Sequence, residues 1–531
     1  MKRSVFIFLL FVLLSACAPR SQPTPAPVQI ATPTPVPESQ PWWQEAVFYE
    51  IFVRSFYDSD GDGIGDFNGI TQKLNYLEDL GITGIWLMPI HPSPSYHGYD
   101  VVNYYDVNPE YGTIDDFKHL LEEAHSRDIR IIMDLVLNHT SREHAFFAEA
   151  NSDPGSSYRD WYIWSDSDQG DYWHEGNQGF YYGFFWDGMP DLNYRNRDVT
   201  TEMFNVMRFW LEDMGIDGFR IDAAKHLIEE DGKVENTPGT HEWYKEFFEY
   251  YKSISPNAYT VGEAFGAGGF IAKTYERQFD HIFNFELAGG FVSSARTGTN
   301  TPVNSAIKFA LKDKPDFSFA TFLTNHDQDR VMSVLDGDVE KAKIAAFLLL
   351  TSEGTPFIYY GEEIGMQGRK PDENIRLPMQ WNSEANAGFT TGTPWRDLNE
   401  DHLQVTVAAQ EDSSDSLLNH YRELINLRAD HSAMQIGKTF LVDTGNSAVY
   451  AILRADENES LLVLANLGGE AISDYSLTLR ETASMDGTYE AEVLFGSGEP
   501  SALEVTQGGF QNYQPIPELG PYSTFVLRYS P

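Results

Sequence analysis

Cysteine is almost absent from this sequence. Its 531 residues include a single cysteine, Cys17, so no disulfide can form within the chain. Long apolar runs are scarce as well. The run SVFIFLLFVLL at residues 4–14 is too short to span a bilayer comfortably, and the basic MKR that precedes it is typical of a secretory signal.

Positive charge is also in short supply. Lysine and arginine number 37 against 79 acidic residues, which gives a formal net charge of −42. This balance disfavours nucleic acids and anionic membrane surfaces as partners. It is compatible with a neutral substrate and with bound cations. Apolar residues make up 42% of the chain, enough for a sizeable core, and the length allows more than one domain.

The first 41 residues predict a tether. The segment LSAC at residues 14–17 resembles the bacterial lipobox, in which the cysteine is acylated and becomes the mature N-terminus. Residues 18–41 are rich in proline and threonine, which predicts an extended linker without a core. We therefore expect a lipid anchor on Cys17 and a location outside the cytoplasm in a bacterial cell envelope. A chance cysteine after an uncleaved anchor is the alternative.

From residue 42 onward, strand-like runs alternate with helical ones. Helical periodicity is clearest at 113–128, where Thr113 is the predicted N-cap, and at 200–215, which ends at Gly215. Alternation predicts a parallel sheet, and eight units predict a closed (β/α)8 barrel. An open, doubly wound sheet is the alternative on periodicity alone. The eight candidate strands are 47–56, 81–90, 129–139, 218–225, 258–265, 281–287, 319–327 and 355–366.

Two segments depart from the alternation. Residues 141–200 form a long, aromatic-rich insert after the third strand, where binding loops of such barrels grow. After the helical run 417–430, short alternating strands predict a separate antiparallel β domain. The predicted organisation is a signal segment at 1–17, a linker at 18–41, a barrel at 42–140 and 201–430, an inserted domain at 141–200 and a β domain at 431–531.

Polar residues gather at the ends of the candidate strands. In a closed barrel, the carboxyl ends of the strands meet at one mouth, where such enzymes place catalysis. A set of buried ion pairs is the alternative for any one of these strands. The residues are Asp134, Asn138 and His139 on the third strand, Arg220 and Asp222 on the fourth, Glu263 on the fifth, and Asn325, His326 and Asp327 on the seventh.

Three carboxylates and an arginine in one pocket suit glycoside hydrolysis. A retaining enzyme needs a nucleophilic carboxylate and a second carboxyl group that starts protonated. Residues two apart on a strand face the same side, so Arg220 is expected to lie beside Asp222 and keep it ionised and aimed.

The chain resembles the α-amylase superfamily, glycoside hydrolase family 13. The resemblance covers about residues 42 to 531 and rests on four motifs in order: DLVLNH at 134–139, GFRIDAAKH at 218–226, GEAF at 262–265 and FLTNHD at 322–327. It implies that Asp222 is the nucleophile, Glu263 the general acid/base and Asp327 the transition-state stabiliser. It also implies a domain B at the insert.

The resemblance further implies a set of substrate contacts. HGYD at 97–100 matches the sugar platform of the family, with Tyr99 stacking on the reacting ring. The structural alternative for Tyr99 is a tyrosine of the core, and for Lys225 and His226 it is a pair of ordinary cations on a loop. The implied substrate residues are Tyr99, Asp100, His139, Arg220, Lys225, His226, Asn325 and His326.

A calcium loop is predicted after the first strand. In DSDGDGIGD at 58–66, Asp58, Asp60, Asp62 and Asp66 alternate with other residues on a glycine-rich loop, and hard carboxylate oxygens suit Ca²⁺. The loop resembles the calcium site of oligo-1,6-glucosidase-type relatives, where the backbone carbonyl at Ile64 also ligates. A solvated acidic turn is the alternative. Asn138 matches a ligand of many α-amylases, so the question of a second site stays open.

Substrate specificity is less determined. MPDLN at 189–193 resembles the subfamily intermediate between oligo-1,6-glucosidases and neopullulanases, whereas NHDQDR at 325–330 favours α-glucosidases, because Arg330 could close the pocket. We expect a monomeric α-amylase-type enzyme acting on starch or maltooligosaccharides. The alternatives are an α-glucosidase, a cyclomaltodextrinase-like enzyme with transglycosylation, and a catalytically inactive glucan-binding lipoprotein.

Overall fold

The structure, a computed structural model, describes residues 41–266, 268–312, 319–480 and 485–530. Cys17, the apolar run before it and residues 18–40 lie outside the described residues, so the anchor and the linker remain predictions. Within the described part of the chain, no helix is long and apolar enough to cross a membrane.

Eight parallel strands close into a barrel. In chain order they are Phe48–Ile51, Gly84–Leu87, Arg130–Leu135, Gly218–Ile221, Tyr259–Gly262, His281–Phe283, Phe319–Thr321 and Thr355–Tyr359. Each strand pairs with the next along the chain, and the first pairs with the eighth through Phe48 and Phe357. The predicted barrel is therefore confirmed, and the open sheet is excluded.

The barrel strands are buried on both faces because side chains fill the interior and helices cover the outside. Phe48, Trp86, Tyr259 and Phe357 pack at one end of the interior, and the Phe48 and Phe357 rings stack with centroids 4.4 Å apart. Such packing makes the barrel a solid core and not a pore. Polar side chains are then left for the opposite, carboxyl end of the strands.

The helices follow the predicted pattern. Thr113 caps the helix Ile114–His125 in a reciprocal capping box with Asp116. The helix at Arg197–Arg208 continues as a π-helix through Phe209–Met214 and ends at left-handed Gly215. The remaining α-helices are Trp42–Glu45, Val53–Phe56, Phe67–Leu80, Ala145–Ser152, Pro238–Ile254, Gly268–Thr274, Phe285–Thr297, Thr301–Ala310, Val331–Val334, Val339–Thr351, Asp372–Ile375, Val407–Glu411, Leu417–Asp430 and Ser432–Gln435.

The insert forms a small antiparallel sheet of three strands, Trp164–Ser165, Gly179–Tyr182 and Trp173–Gly176, with Gly179–Tyr182 in the middle. It is fastened to the third barrel strand's loop by side chains. The Tyr162 hydroxyl lies 2.9 Å from Thr140 Oγ1, and the Tyr194 hydroxyl donates to the Leu137 carbonyl at 2.6 Å. The insert therefore stands beside the carboxyl end of the barrel.

The C-terminal region is an antiparallel sheet in the order Lys438–Leu441, Val449–Ala455, Ser460–Asn466, Thr524–Ser530, Gly487–Phe495 and Leu503–Val505. A second, two-stranded sheet pairs Leu477–Leu479 with Phe510–Tyr513. Alternate side chains of these strands form a hydrophobic core of their own. The predicted C-terminal β region is thus confirmed, while the residue numbers given for the domain boundaries remain predictions.

Candidate active site

The fourth barrel strand delivers an arginine and a carboxylate to the mouth of the barrel. The strand Gly218–Ile221 ends one residue before Asp222, earlier than the alternation predicts. Ala223 follows with a left-handed φ of 45°. Asp222 therefore lies at the strand end, and its Oδ1 still accepts a hydrogen bond from Arg220 Nη1 at 2.7 Å.

Arg220 is the centre of a buried ion cluster. Only 1% of its side chain is exposed. Nη1 donates to Asp134 Oδ1 at 2.5 Å and to Asp222, and Nη2 donates to Glu263 Oε2 at 2.8 Å. One guanidinium thereby fixes the carboxylates of three strands, and its planar donor fork sets their directions. The expectation that Arg220 lies beside Asp222 is met.

Burial dominates the electrostatics of this cluster. It raises the pKa of Asp134 to about 7, although Arg220 opposes the shift. It also raises the pKa of Asp222 and of Glu263, and in both cases Arg220 offsets the shift only in part. This shift biases Glu263 toward the protonated form, in which a general acid must start.

The seventh strand supplies a carboxylate of the opposite character. Burial would raise the pKa of Asp327, but His326 and Arg376 outweigh it and lower the pKa well below its usual range. Arg376 Nη2 donates to Asp327 Oδ1 at 2.8 Å. Asp327 thus stays ionised while Glu263 is biased toward the protonated form, and this separation assigns different tasks to the two groups.

His326 owes its charge to Glu50. Its Nδ1 lies 2.5 Å from Glu50 Oε1 and its Nε2 lies 2.7 Å from the Tyr99 hydroxyl. His326 and Glu50 are both buried. Burial would lower the pKa of His326, but Asp327 and Glu50 raise it to about 10. The imidazolium then donates from both ring nitrogens, to Glu50 and to the Tyr99 hydroxyl. The Tyr99 hydroxyl in turn donates to Asp134 Oδ2 at 3.4 Å.

A cavity of about 350 Å³ opens above these groups. Asp222, Glu263 and Asp327 all line it, so the three predicted catalytic carboxylates meet at one place. Four predicted substrate residues line it as well: Tyr99, His139, Lys225 and His226. Burial lowers the pKa of His139 to about 4, so this imidazole is neutral at pH 7.

Four predicted substrate residues lie behind the cavity wall. Arg220 and His326 contact the carboxylates from below, as described above. The Asp100 carboxylate accepts from the hydroxyls of Ser93 and Ser95, and Asn325 Oδ1 accepts from the Asp327 backbone N–H at 3.1 Å. None of these four is among the residues that line the cavity. The structure shows contacts that position their neighbours, and their direct contact with sugar stays a prediction.

Arg330 does not close the cavity. It is 1% exposed, and its guanidinium donates to the carbonyls of Ile375 and Tyr360 at 2.9 and 2.6 Å, below the wall. The sequence-based interpretation that Arg330 restricts the pocket is therefore wrong. The cation at that edge is Arg376, which lines the cavity beside Asp372.

Several site residues escaped the sequence analysis. Glu50 had a usable signal, since it is a charged residue inside the apolar first strand. Arg376 had none, because it lies in an irregular segment after the eighth strand. His97 and the aromatic rim of Phe185, Trp186 and Phe265 also line the cavity, and only the tertiary structure shows which of the many aromatics in the insert reach it.

The acidic loop at 58–66 brings together three of its four aspartates. Ligand oxygens of Asp58, Asp60 and Asp66 lie within 4.8 Å of one another, and Asp62 is not a member of this group. Asp62 Oδ1 instead accepts from the Ile64 N–H at 2.8 Å. Burial raises the pKa of Asp66, so a bound cation would relieve the cost of crowding these charges.

Comparison with known proteins gives the family. The family model described as "Alpha amylase, catalytic domain" matches residues 50–437. The chain belongs to the α-amylase family. It is a glycoside hydrolase of glycoside hydrolase family 13, and its barrel and mouth are those on which the family builds its active site.

Relatives within this family carry different names. "Alpha-amylase 3" of Dictyoglomus thermophilum is 41% identical over 436 residues, covering 81% of this chain and 86% of that protein. An oligo-1,6-glucosidase of Heyndrickxia coagulans is 35% identical over 527 residues, covering 81% and 93%. The family is thus shown, while the names divide between α-amylase and glucosidase.

Solved structures of this fold also carry different names. The alpha-amylase from H. orenii superimposes with a TM-score of 0.79 at 38% identity, covering 91% of this chain and 99% of that one. The trehalulose synthase MutB from Pseudomonas mesoacidophila MX-45 gives 0.79 at 29% identity, covering 93% and 100%. The common fold therefore does not fix the substrate.

Proposed function

We propose that this glycoside hydrolase is of the α-amylase type and cleaves internal α-1,4-glucosidic bonds of starch and maltooligosaccharides with retention. The observation that carries the proposal is the contact of one buried guanidinium, Arg220, with both Asp222 and Glu263 at the wall of a cavity that Asp327 also lines. A double displacement needs two carboxyl groups at the scissile glycosidic bond, one as nucleophile and one as acid/base, and Asp222 and Glu263 are placed for these roles.

In the proposed mechanism, Asp222 attacks the anomeric carbon while Glu263 gives its proton to the departing glycosidic oxygen. A covalent glycosyl-Asp222 ester results. Glu263, now ionised, takes a proton from a water molecule, and that water attacks the same carbon, releasing Asp222 and a sugar of unchanged configuration. Asp327, kept anionic by His326 and Arg376, stabilises the positive charge that develops on the sugar ring.

Internal cleavage is favoured by the character of the cavity rim. Exposed aromatic side chains at Phe185, Trp186 and Phe265 offer apolar surface for sugar units beyond the reacting one. Lys225, held by Glu235 at 2.7 Å, and His226 extend the same wall. An α-glucosidase is the second candidate, and the names of the relatives support it.

The test is a time course on soluble starch and on maltoheptaose. Internal cleavage lowers iodine staining while few reducing ends have formed, and maltose and maltotriose precede glucose. Glucose as the sole early product with persistent iodine staining assigns an α-glucosidase instead. NMR of the first-formed sugar checks retention, because an initial β-anomer would mean a single displacement and would overturn the roles of Asp222 and Glu263.

We propose two calcium sites that act on stability alone. The first is the loop site of Asp58, Asp60 and Asp66, with the Ile64 carbonyl as a further ligand. The second surrounds Asn138, because Asn138 Oδ1 is buried without a hydrogen-bond partner in the described part of the chain and its side chain lies within hydrogen-bond reach of the buried Asp191 carboxylate. Oxygen atoms in that state suit a hard cation. Calcium content of the purified protein tests the number of sites.

We also propose that acylated Cys17 anchors a monomeric enzyme on the outer side of a bacterial membrane. The lipobox-like LSAC at 14–17 supports this. Each buried CH₂ of an acyl chain contributes about 0.8 kcal/mol to membrane binding, so several chains hold firmly. Cys17→Ala should move the protein from the membrane to the soluble fraction. A wild-type protein found soluble with an unmodified N-terminus contradicts the anchor.

A further inference from the structure

The rim of the active-site cavity carries three large aromatic side chains that remain exposed. The exposed fractions are 45% for Phe185, 47% for Trp186 and 63% for Phe265. A cluster of exposed apolar side chains marks a contact site more often than chance scatter does. Trp186 differs from the other two, because in the described residues its indole has no aromatic ring packed against it. With 47% of the residue exposed, apolar surface of the indole is left for a ligand.

Trp186 stands on a turn that is fixed from three directions. The Met189 N–H donates to the Trp186 carbonyl at 3.0 Å and closes the turn, and the Arg142 N–H donates to the Gly188 carbonyl at 2.9 Å. The Tyr181 hydroxyl of the central insert strand donates to the Asp187 carbonyl at 2.6 Å. The indole is thus presented on a backbone that is ordered before any ligand arrives.

Gly188 makes the indole position possible. A Cβ added there would lie 2.2 Å from Trp186 Cζ2 and 2.3 Å from Cη2, far inside contact distance. The backbone φ of Gly188 is not in the left-handed region, so an alanine would be acceptable to the chain itself. The glycine is therefore required because it leaves space for the indole, and not for its own backbone conformation. A substitution at residue 188 can thus move the indole ring without changing Trp186.

We infer that Trp186 is a stacking platform for a glucosyl unit of an α-glucan, at a distance from the unit that reacts. This inference rests on the proposed function and specifies how the enzyme selects long glucan chains. A pyranose ring has a face of C–H groups that matches the flat apolar face of an indole, while its hydroxyl groups stay in water. Because the turn holds the ring in place, little side-chain entropy is lost when the sugar binds.

The position of Trp186 separates binding from chemistry. Asp222, Glu263 and Asp327 are tied to Arg220, Arg376 and His326 by the contacts described above, and none of those contacts involves the indole. Trp186 therefore contributes to the capture of substrates long enough to reach it. Substrates that fill only the reacting position do not benefit.

The test compares two substrates across a small set of variants. Trp186→Ala removes the platform, and Trp186→Phe keeps a smaller one. Gly188→Ala displaces the indole by contact while residue 186 itself stays tryptophan. Phe309→Ala, at an exposed phenylalanine on the helix Thr301–Ala310, is the control. The measured quantity is kcat/KM for maltoheptaose divided by kcat/KM for α-glucosyl fluoride, which occupies the reacting position alone.

The platform predicts a fall in this ratio of about tenfold for Trp186→Ala, which corresponds to about 1.4 kcal/mol. The fall should be similar for Gly188→Ala, smaller for Trp186→Phe and absent for Phe309→Ala. It should come from a higher KM for maltoheptaose. A ratio unchanged in Trp186→Ala overturns the inference. If both kcat/KM values have fallen equally, Trp186 supports the catalytic groups instead.

Calorimetry keeps this test separate from that of the proposed function. Maltoheptaose is titrated into Asp222→Asn and into the double variant Asp222→Asn/Trp186→Ala. Weaker binding in the double variant supports the platform even if the wild-type products indicate an α-glucosidase. Equal binding in the two proteins overturns the platform. Wild-type protein inert on maltoheptaose and on starch contradicts the proposed function itself.

Discussion

At the scale of single residues, the active site is a set of buried charges, and the energetic cost of burying each one is offset by oppositely charged neighbours. Arg220 is buried to 1% exposure and would be costly alone, but it contacts Asp134, Asp222 and Glu263. Burial raises the pKa of Glu263, while His326 and Arg376 lower that of Asp327, so Asp327 is held as an anion and Glu263 is biased toward the protonated form.

Removal of the general acid should depend on the leaving group. Glu263→Gln should lower kcat on maltoheptaose by about 10²- to 10⁴-fold, because no proton reaches the departing oxygen. On α-glucosyl fluoride the loss should be far smaller, since fluoride leaves without protonation. Asp222→Asn should abolish turnover of both substrates. Steady-state rates on the two substrates decide this, and equal losses in the Glu263 variant would contradict its role.

Glu50 should keep His326 protonated into the alkaline range. Its carboxylate helps to raise the pKa of His326 to about 10. A raised pKa means that this pair stabilises the folded protein fully below the ordinary histidine value of about 6.5 and loses that contribution as the pH rises through about 10. In Glu50→Gln, His326 should lose its proton at lower pH, so the pH profile of the free energy of unfolding should begin its alkaline decline at lower pH.

The free energy of unfolding of Glu50→Gln at pH 7 should also fall by about 1–3 kcal/mol, as expected when a buried charge-assisted hydrogen bond is weakened. Glu45→Gln, at an exposed position four residues past Pro41, is the control. A pH profile of Glu50→Gln that overlays the wild-type profile would show that Glu50 has no part in the charge state of His326.

At the scale of elements, contacts between the loop 58–66 and the segment 389–395, and contacts at the end of the helix Val339–Thr351, stabilise the fold. The loop 58–66 folds over the segment at 389–395. Gly63, with a left-handed φ of 97°, approaches so closely that a Cβ would lie 1.9 Å from the Thr393 carbonyl oxygen. The Asp58 carboxylate ties the same two segments together by accepting from the Thr390 hydroxyl. A calcium ion here would hold both segments against the barrel.

Chelation should therefore lower the melting temperature, and added Ca²⁺ should restore it. A ligand present at 100 times its Kd stabilises by about 2.7 kcal/mol. Asp60→Asn should remove most of the effect at the loop site, whereas Asp62→Asn, in the same loop but outside the group of three carboxylates, is the matched control. Equal losses in the two variants would contradict the ligand set. Melting indifferent to chelator, with no calcium in the protein, would contradict both sites.

The helix Val339–Thr351 is terminated by two arginines from different parts of the chain. Arg428, on the last barrel helix, donates to the carbonyls of Leu350, Ser352 and Gly354 at 2.7–3.1 Å. Arg454, on the C-terminal sheet, donates to the Thr351 carbonyl at 2.9 Å. Positive charge at a helix C-terminus opposes the negative end of the helix dipole. The two arginines thereby fasten the C-terminal sheet to the barrel.

Arg454→Met should test this junction. The methionine keeps much of the apolar volume but leaves the carbonyls of Thr351 and Gly437 without their buried donor, at a cost of about 1–3 kcal/mol for each. Urea denaturation should show a lower free energy of unfolding with activity at 25 °C retained. Lys438→Met, at an exposed position on the edge strand, is the control. Stability unchanged in Arg454→Met would contradict the junction.

At the scale of the whole molecule, the net charge of −42 is the dominant feature. Like charges repel within a compact body, so the folded state pays for its acidity at low ionic strength. Salt screens this repulsion, because the Debye length falls from about 30 Å at 0.01 M to about 10 Å at 0.1 M.

The melting temperature should accordingly rise between 0.01 and 0.5 M NaCl. Potassium chloride and choline chloride should act equally at the same ionic strength if screening is the cause, and a neutral osmolyte at matched osmolality separates screening from surface exclusion. The experiment uses calcium-saturated protein so that the metal sites do not contribute. A melting temperature that falls with salt, or that responds to one cation alone, would contradict the explanation.

The sequence by itself determined the repeating pattern of this protein. Continuous apolar runs identified all eight barrel strands, and apolar spacing of period 3.6 identified the helix capped by Thr113, because local sterics and burial act over a few residues. It also placed Arg220, Asp222, Glu263 and Asp327 at strand ends, and barrel closure then brings strand ends to one mouth without further information.

Only the tertiary structure decided which distant residues complete the site. Glu50 acts on His326 across 276 positions of sequence, and Arg376 reaches Asp327 from an irregular segment. Arg330, which the sequence offered as a gate, is buried because its donors find carbonyls below the wall. Trp186 faces the cavity because Gly188 leaves room for its ring. These facts depend on long-range packing, which no local pattern encodes, since each partner is selected by the space and charge that the others leave.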